Sequence, residues 1–533
     1  MEPRAVKMRG GAPVPTRRRK ALSVPQLRIA LSLPGEASLG AFQAGAVCAL
    51  LVGLGRVNEA DGQAARIDVI TGASSGSLTA VLAARALLAG QDPVASLRRA
   101  WVTEPSLDAL RGRDGHAPLS LERAREVAQE ELARDGGSPP RAQRTGVTVE
   151  LALAALRGFN YEVPRRQGGR GARRRDPLPA TSYLDWWRHR FEPGGFTPEW
   201  SAAVDAAVAS ASHPAAFAPV ALDRSSLRKA YLRHGVENLP PDLELWYTDG
   251  GLVDREPLGR CLGLARAADE GEHDGISRVL LLVEPDVDVA PGIDSTAWAG
   301  GEAAPSWTAT LSRALRVIVS HSLYEDLRRV EKTNNRIAWT ERLAADLAPL
   351  LADEERAREV LGAALKKMKN ERRPWHHGDG DSAASSGRGD EADPSLEALL
   401  AQALATAAGL ASKVPVDVEV VTAQRSDLAG ESLFQFGGFL AERLRAQDFL
   451  VGYANMLAWM EGPGGLAAAG LPAPLALAAG EEVRARARDI PGWVGGAGGR
   501  RRVPLAAQVR LAQIGLRAAR LGLRAARSGG VRG

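Results

Sequence analysis

The apolar positions of the chain fall into short runs separated by glycine-rich turns. Leu27–Leu33 (LRIALSL) is almost continuously apolar and stops at Pro34-Gly35, which predicts a buried strand. Gly40–Gly53 follows as a helix of small and apolar residues, suited to close packing on that strand. Ile67–Thr71 (IDVIT) predicts a second buried strand ending at Gly72, and Ser77–Leu88 (SLTAVLAARALL) a helix just after it. Strand, turn, helix, strand, sharp turn, helix is the order of a parallel α/β sheet. Further strands are predicted over Val147–Leu153, Leu243–Tyr247, Arg278–Val283 and Val416–Val421. Residues 105–145 and 165–176, including Arg173–Arg175, read as polar, Gly/Arg-rich insertions. Residues 376–394 read as a low-complexity loop, with helical pattern over 308–370 and 395–413.

Composition narrows the classes. With 533 residues, 45 % hydrophobic and 25 % charged, the chain is neither collagen-like, wholly disordered nor a multi-span membrane protein. Cys48 and Cys261 are the only cysteines, so no disulfide framework or thiolate metal site is expected, and a reducing compartment fits. The expected location is cytoplasmic, because no secretory leader pattern follows the basic start and no window holds 18 clean apolar residues. Net charge is +5, but residues 1–20 carry +6 and residues 500–533 carry +9, which leaves −10 between them. Base-stacking aromatics are absent from both tails, so nucleic acid is not the expected partner. At about 100° per residue, Arg510, Arg517, Arg520, Arg524 and Arg527 fall in one sector of a helix over 505–527. Two readings stay open for that cationic amphipathic helix. It docks on its own domain, or it holds the protein peripherally on an anionic inner-membrane surface.

The candidate chemistry sits between the first strands and helices. Gly72-Ala73-Ser74-Ser75-Gly76 is a G-x-S-x-G placed between a predicted strand and a predicted helix, where a tight turn exposes the serine and the helix N-terminus favours negative charge. Asp249-Gly250-Gly251 follows the run LELWY, and an aspartate at a strand end can sit at the carboxyl edge of a parallel sheet. Taken alone, Asp-Gly is also the commonest turn dipeptide. A Ser-His-acid triad would need a histidine after the acid. His273 lies in an acidic loop and reads as a surface residue, His321 lies in a helical run and reads as packing, and His376-His377 lack a third metal ligand. No metal and no cofactor is expected.

In combination these segments resemble the patatin-like phospholipases, Ser–Asp lipid acyl hydrolases. Gly40-Ala41-Phe42-Gln43-Ala44-Gly45 is similar to the segment after the family's Gly-rich oxyanion loop. Ala209–Pro219 (ASASHPAAFAP) is similar to its A-S-x-x-x-P-x-x-F-x-P segment. Phe436-Gly437-Gly438-Phe439-Leu440, Arg443, Asp448 and Gly452 resemble a C-terminal helical signature of some bacterial relatives. The resemblance implies a three-layer α/β/α fold with a mostly parallel central sheet and a largely helical C-terminal region. It implies Ser74 as nucleophile and Asp249 as general base. Backbone amides of Gly35, Glu36 and Ala37 would hold the oxyanion, and Gly40, Gly72, Gly76, Gly250 and Gly251 would shape the site. It implies a lipid or phospholipid substrate. The loop here is Pro34-Gly35-Glu36-Ala37-Ser38-Leu39-Gly40, with Glu36 and Ala37 in place of glycines, Leu39 in place of a basic residue, and Glu256 where asparagine is common. Two functions therefore stand at this point: a serine acyl hydrolase, or a weak or inactive patatin-like protein that binds lipid or a partner. The expected organisation is a basic tail (1–24), a catalytic α/β domain (25–290), a mostly helical region (291–460), and a Gly/Ala-rich linker with the cationic helix (461–533).

Overall fold

The computed structural model describes residues 26–60, 64–112, 117–134, 143–163, 177–269, 276–285, 328, 330–351, 354–371, 395–408, 416–424, 427–430 and 436–493. The basic tail, 165–176, His273, His321, the 376–394 segment and the 505–527 helix with its five arginines lie outside the described residues.

Strand β1 (Gln26–Leu33) sits at the middle of the sheet, between β2 (Ala65–Gly72) and β8 (Ile276–Val283), parallel to both. Its alternation explains why it reads as a continuous apolar run. Leu27, Ile29, Leu31 and Leu33 enter the core on one face, while Ala30 enters the core on the other. A parallel strand covered by helices on both faces has no solvent side to mark with polar residues.

Helix α1 (Gly40–Ala60) covers the first face together with α2 (Ser75–Ala89) and α5 (Pro198–Ser210). Helix α7 (Leu258–Asp269) and the helix α8 (330–347) cover the other, through Leu258, Cys261, Leu262, Ala265 and Val330. Both cysteines are free and buried. The predicted three-layer α/β/α arrangement is the one observed. The sheet order is β5-β7-β3-β2-β1-β8-β9, where β3 is Val147–Val163, β5 Val220–Asp223, β7 Glu244–Asp249 and β9 Asp417–Val421. It is parallel from β3 through β9 and antiparallel at the β5-β7-β3 end.

Several expectations need correction. The 290/291 boundary does not divide two cores. Strand β9 extends the sheet beside β8, and α11 (Glu442–Glu461) and α12 (Ala473–Ala487) pack on α1 within the same apolar cluster. Nor is the stretch after 461 a linker as far as residue 493, because Leu466, Leu471, Ala479, Val483 and Ile490 are buried there. Its Gly/Ala content reflects close packing. The insertion at 105–145 is not wholly polar either: it holds α4 (Glu122–Ala133), and Leu107, Leu110 and Leu119 form a small core with Phe217 and Phe439. Strand β4 (Leu178–Phe191), antiparallel to β3, was not foreshadowed by any apolar alternation.

Helix α1 is long and apolar enough to cross a membrane by composition, yet it is enclosed within the domain. Close approach explains its glycines. A Cβ at Gly45 would lie 1.9 Å from the Phe449 carbonyl oxygen of α11, and one at Gly452 would lie 2.0 Å from that of Phe42. The two helices therefore meet backbone to backbone.

Candidate active site

Strand β2 ends at Gly72, and α2 begins at Ser75, leaving Ser74 at the bend with φ 49° and ψ −127°. Left-handed φ is costly for a residue with a side chain and persists only where the surroundings impose it. Here they do. A Cβ at Gly76 would stand 2.1 Å from the Leu33 carbonyl oxygen, and one at Gly72 2.7 Å from Ser77 Cα, so only glycine lets strand, turn and helix close this tightly. The Ser74 amide donates to Ser210 Oγ at 3.0 Å, and the Ser77 hydroxyl donates to the same oxygen at 2.8 Å. Ser210, at the end of α5, thus ties the bend to the helix behind it.

Asp249 arrives through β3. Gly72 is in register with Leu151, and two residues further along β3 Leu153 is in register with Asp249. Two ends that are 175 residues apart in sequence so reach the same edge of the sheet, and the Ser74 hydroxyl donates to Asp249 Oδ2 at 2.9 Å. The other oxygen, Oδ1, accepts the Gly251 amide at 2.8 Å. A Cβ at Gly250 would fall 2.0 Å from the Ala152 carbonyl oxygen, so the turn after the aspartate needs glycine there. Both side chains are buried. Burial pushes the Asp249 carboxyl above its ordinary value, opposed by His213, the Ser74 hydroxyl, the Gly251 amide and Arg255. The serine reaches its carboxylate directly, with no imidazole between them.

The loop Pro34–Gly40 lies against the serine: a Cβ at Gly35 would be 2.6 Å from Ser74 Cβ. Its three candidate amides are differently placed. The Gly35 amide donates to the Arg255 carbonyl at 3.3 Å, and the Glu36 amide donates to Ser75 Oγ at 2.8 Å. Both are committed within the fold, contrary to their expected freedom to meet an oxyanion. Ala37, at φ 42°, begins a short 3₁₀ turn, and its amide is not used in closing the loop. The Ser75 amide opens α2, where no intrahelical acceptor is available to it. Gln43, from the GAFQAG segment, donates to the Pro34 carbonyl at 2.8 Å, and Ser38 Oγ accepts the Gly438 amide at 3.0 Å. Gly40 faces the Trp101 ring at a distance that leaves no room for a Cβ.

Glu36 is fully buried, and its carboxylate pairs with the Arg255 guanidinium. Leu39, which stands in place of the basic residue of the resemblance, is a core residue. Glu256 is buried with its carboxylate 3.7 Å from Arg255, and Glu284 at the end of β8 is likewise 3.7 Å from that guanidinium. Further out, Asp448 accepts the amides of Ala429 and Gly430, and burial pushes its carboxyl up to about 7. Sequence reasoning overlooked His213, Ser210 and Arg255. The first two lie inside Ala209–Pro219, where no local pattern marks them. Among the described residues no group of three or more His, Cys, Asp or Glu could hold a metal ion.

The family model described as Patatin-like phospholipase matches residues 31–262, which spans β1, the Ser74 bend and Asp249. This part of the chain is similar to the patatin-like phospholipases. No curated protein matches the chain significantly. Among solved structures, VipD from Legionella pneumophila is similar at 9 % identity, over 81 % of this chain and 66 % of its own length, with a TM-score of 0.25. The chain thus spans just under two thirds of that protein.

Proposed function

We propose that the protein is a serine acyl hydrolase that cleaves fatty acyl esters of phospholipids or related lipids through Ser74 and Asp249. The 2.9 Å hydrogen bond between a hydroxyl on a left-handed bend and a buried carboxylate carries this reading. Asp249 accepts the Ser74 proton as Oγ attacks the ester carbonyl carbon. Collapse of the tetrahedral species expels the alcohol, which takes that proton, and leaves an acyl-serine. Asp249 then removes a proton from water, whose oxygen attacks the acyl carbon. The fatty acid departs and the proton returns to Ser74. The amides of Ala37 and Ser75 are the donors proposed for the oxyanion, in place of those of Gly35 and Glu36. Leu252 and Val253, 56 % and 40 % exposed just beyond Asp249, offer an apolar rim to an acyl chain.

The committed Gly35 and Glu36 amides favour one other reading, a patatin-like protein that binds lipid without turning it over. A fluorophosphonate probe with peptide mapping separates the two. Labelling of Ser74 that disappears in Ser74→Ala supports hydrolysis, and an unlabelled Ser74 refutes it. Anchoring by Arg510, Arg517, Arg520, Arg524 and Arg527 is proposed on the pattern of those residues alone. Salt-sensitive flotation with anionic vesicles that needs residues 500–533 is the expected result.

A further inference from the structure

Glu36 looks misplaced in a loop that serves a developing oxyanion, because a carboxylate there would repel it. The fold answers it with a residue 219 positions away. Arg255 lies six residues after Asp249, on the segment that leaves the candidate base. Its carbonyl accepts the Gly35 amide at 3.3 Å, its Nε donates to the Gly35 carbonyl at 3.1 Å, and its guanidinium pairs with Glu36. Three contacts thus tie one dipeptide of the loop to one residue of the base segment. On its other side the Glu36 amide donates to Ser75 Oγ, beside the candidate nucleophile. Gly35 itself rests on Ser74 Cβ, so any slackening of the loop is felt at the serine.

We infer that Arg255 is a positioning residue for acyl transfer, a clamp that fixes the Gly35–Glu36 turn against the Asp249 segment and so sets the height of the loop over Ser74. The inference rests on the hydrolase reading. The surroundings fit a clamp. Glu36, Glu256 and Glu284 all face this guanidinium from the loop, the base segment and the end of β8. Burial and the neighbouring Glu36 push the Glu284 carboxyl well above its ordinary value. Arg255 also favours the ionised form of Asp249, so it touches the chemistry through charge as well as through the loop. A planar fork that reaches a carbonyl and a carboxylate together is a task for arginine and not for lysine.

The test uses the full-length protein, a water-soluble 4-nitrophenyl ester, and the variants Arg255→Met, Arg255→Lys and Glu36→Gln/Arg255→Met, with Ser74→Ala as reference. A loop displaced by about 1 Å costs on the order of 10²-fold in rate. Arg255→Met should therefore lower kcat by about 10²-fold with KM within about twofold. Arg255→Lys should recover only part of that loss. In Arg255→Met the acidic limb of the pH–rate profile should move to higher pH, because Asp249 loses a stabilising charge, whereas Arg255→Lys should leave it in place. If Arg255→Met fails to fold, the double variant, which buries no unpaired carboxylate at position 36, carries the same expectation for kcat. Wild-type kcat in a folded Arg255→Met or double variant overturns the clamp. Equal turnover by wild type and Ser74→Ala overturns the hydrolase reading instead, and the clamp with it.

Discussion

Gly35→Ala adds a single methyl group at the point where the loop touches Ser74. Gly35 does not have a left-handed φ, so alanine meets no backbone penalty there. The new Cβ would stand 2.6 Å from Ser74 Cβ. Ordinary carbon–carbon contact begins at about 3.5 Å, so the loop and the serine must part by about 0.9 Å. Ser74 cannot rotate away, because it is its Cβ that is struck and its backbone is held by Ser210. A displacement of that size in the reacting geometry is worth on the order of 10² in rate, or about 2.7 kcal/mol of transition-state stabilisation. The assay is kcat/KM on a soluble ester beside the thermal midpoint. The loss should fall on kcat while the midpoint moves by only a few degrees. Gly263→Ala is the control: on α7, nothing lies within 4 Å of the added Cβ, so the rate should hold and stability should rise by up to about 1 kcal/mol. Full activity in Gly35→Ala would show that the loop does not bear on the serine during turnover, and the reasoning would fail.

Other outcomes follow from the same geometry. Asp249 must be ionised to accept a proton, and burial raises its pKa above the ordinary 3.8. Activity should therefore rise with pH along a limb lying above that value, and His213→Ala should move the limb higher still; a limb at or below 3.8 would refute the assignment. Ala37→Gly removes the strain of a left-handed alanine at φ 42° but adds freedom to the unfolded chain, so the thermal midpoint should shift by no more than the equivalent of about 1 kcal/mol, with turnover retained. Ala37→Val, β-branched at the same φ, should lower both. Gly452→Ala forces α1 and α11 apart at the Phe42 carbonyl and should cost about 1–3 kcal/mol in denaturant unfolding.

Much of the fold was legible because the central strands are buried on both faces and bounded by turn residues. Leu27–Leu33 and Ile67–Thr71 announce themselves as apolar runs, and the serine bend announces itself through glycines that steric contact requires. Strand β4 hid because most of it is partly or fully exposed, which leaves no apolar alternation to read. Helix α12 hid for the opposite reason: close packing on α1 selects alanine and glycine, the residues that also mark linkers. The Ser74–Asp249 pair was legible as two motifs, and only the β3 register shows why they meet. Glu36 was legible as a departure but not as half of an ion pair, since no local pattern links it to Arg255. His213 and Ser210 act through position in space, and their neighbours in sequence do not disclose it.

The contact between Ser38 Oγ and the Gly438 amide spans 400 positions. During synthesis at about 5–20 residues per second, the ribosome needs roughly 20–80 s to travel between those two codons. Throughout that interval the nascent chain carries Ser74 and, for the later part, Asp249, yet lacks the glycine whose amide meets the Ser38 hydroxyl. Finished geometry at this end of the sheet is thus reserved for chains that have been translated past residue 438.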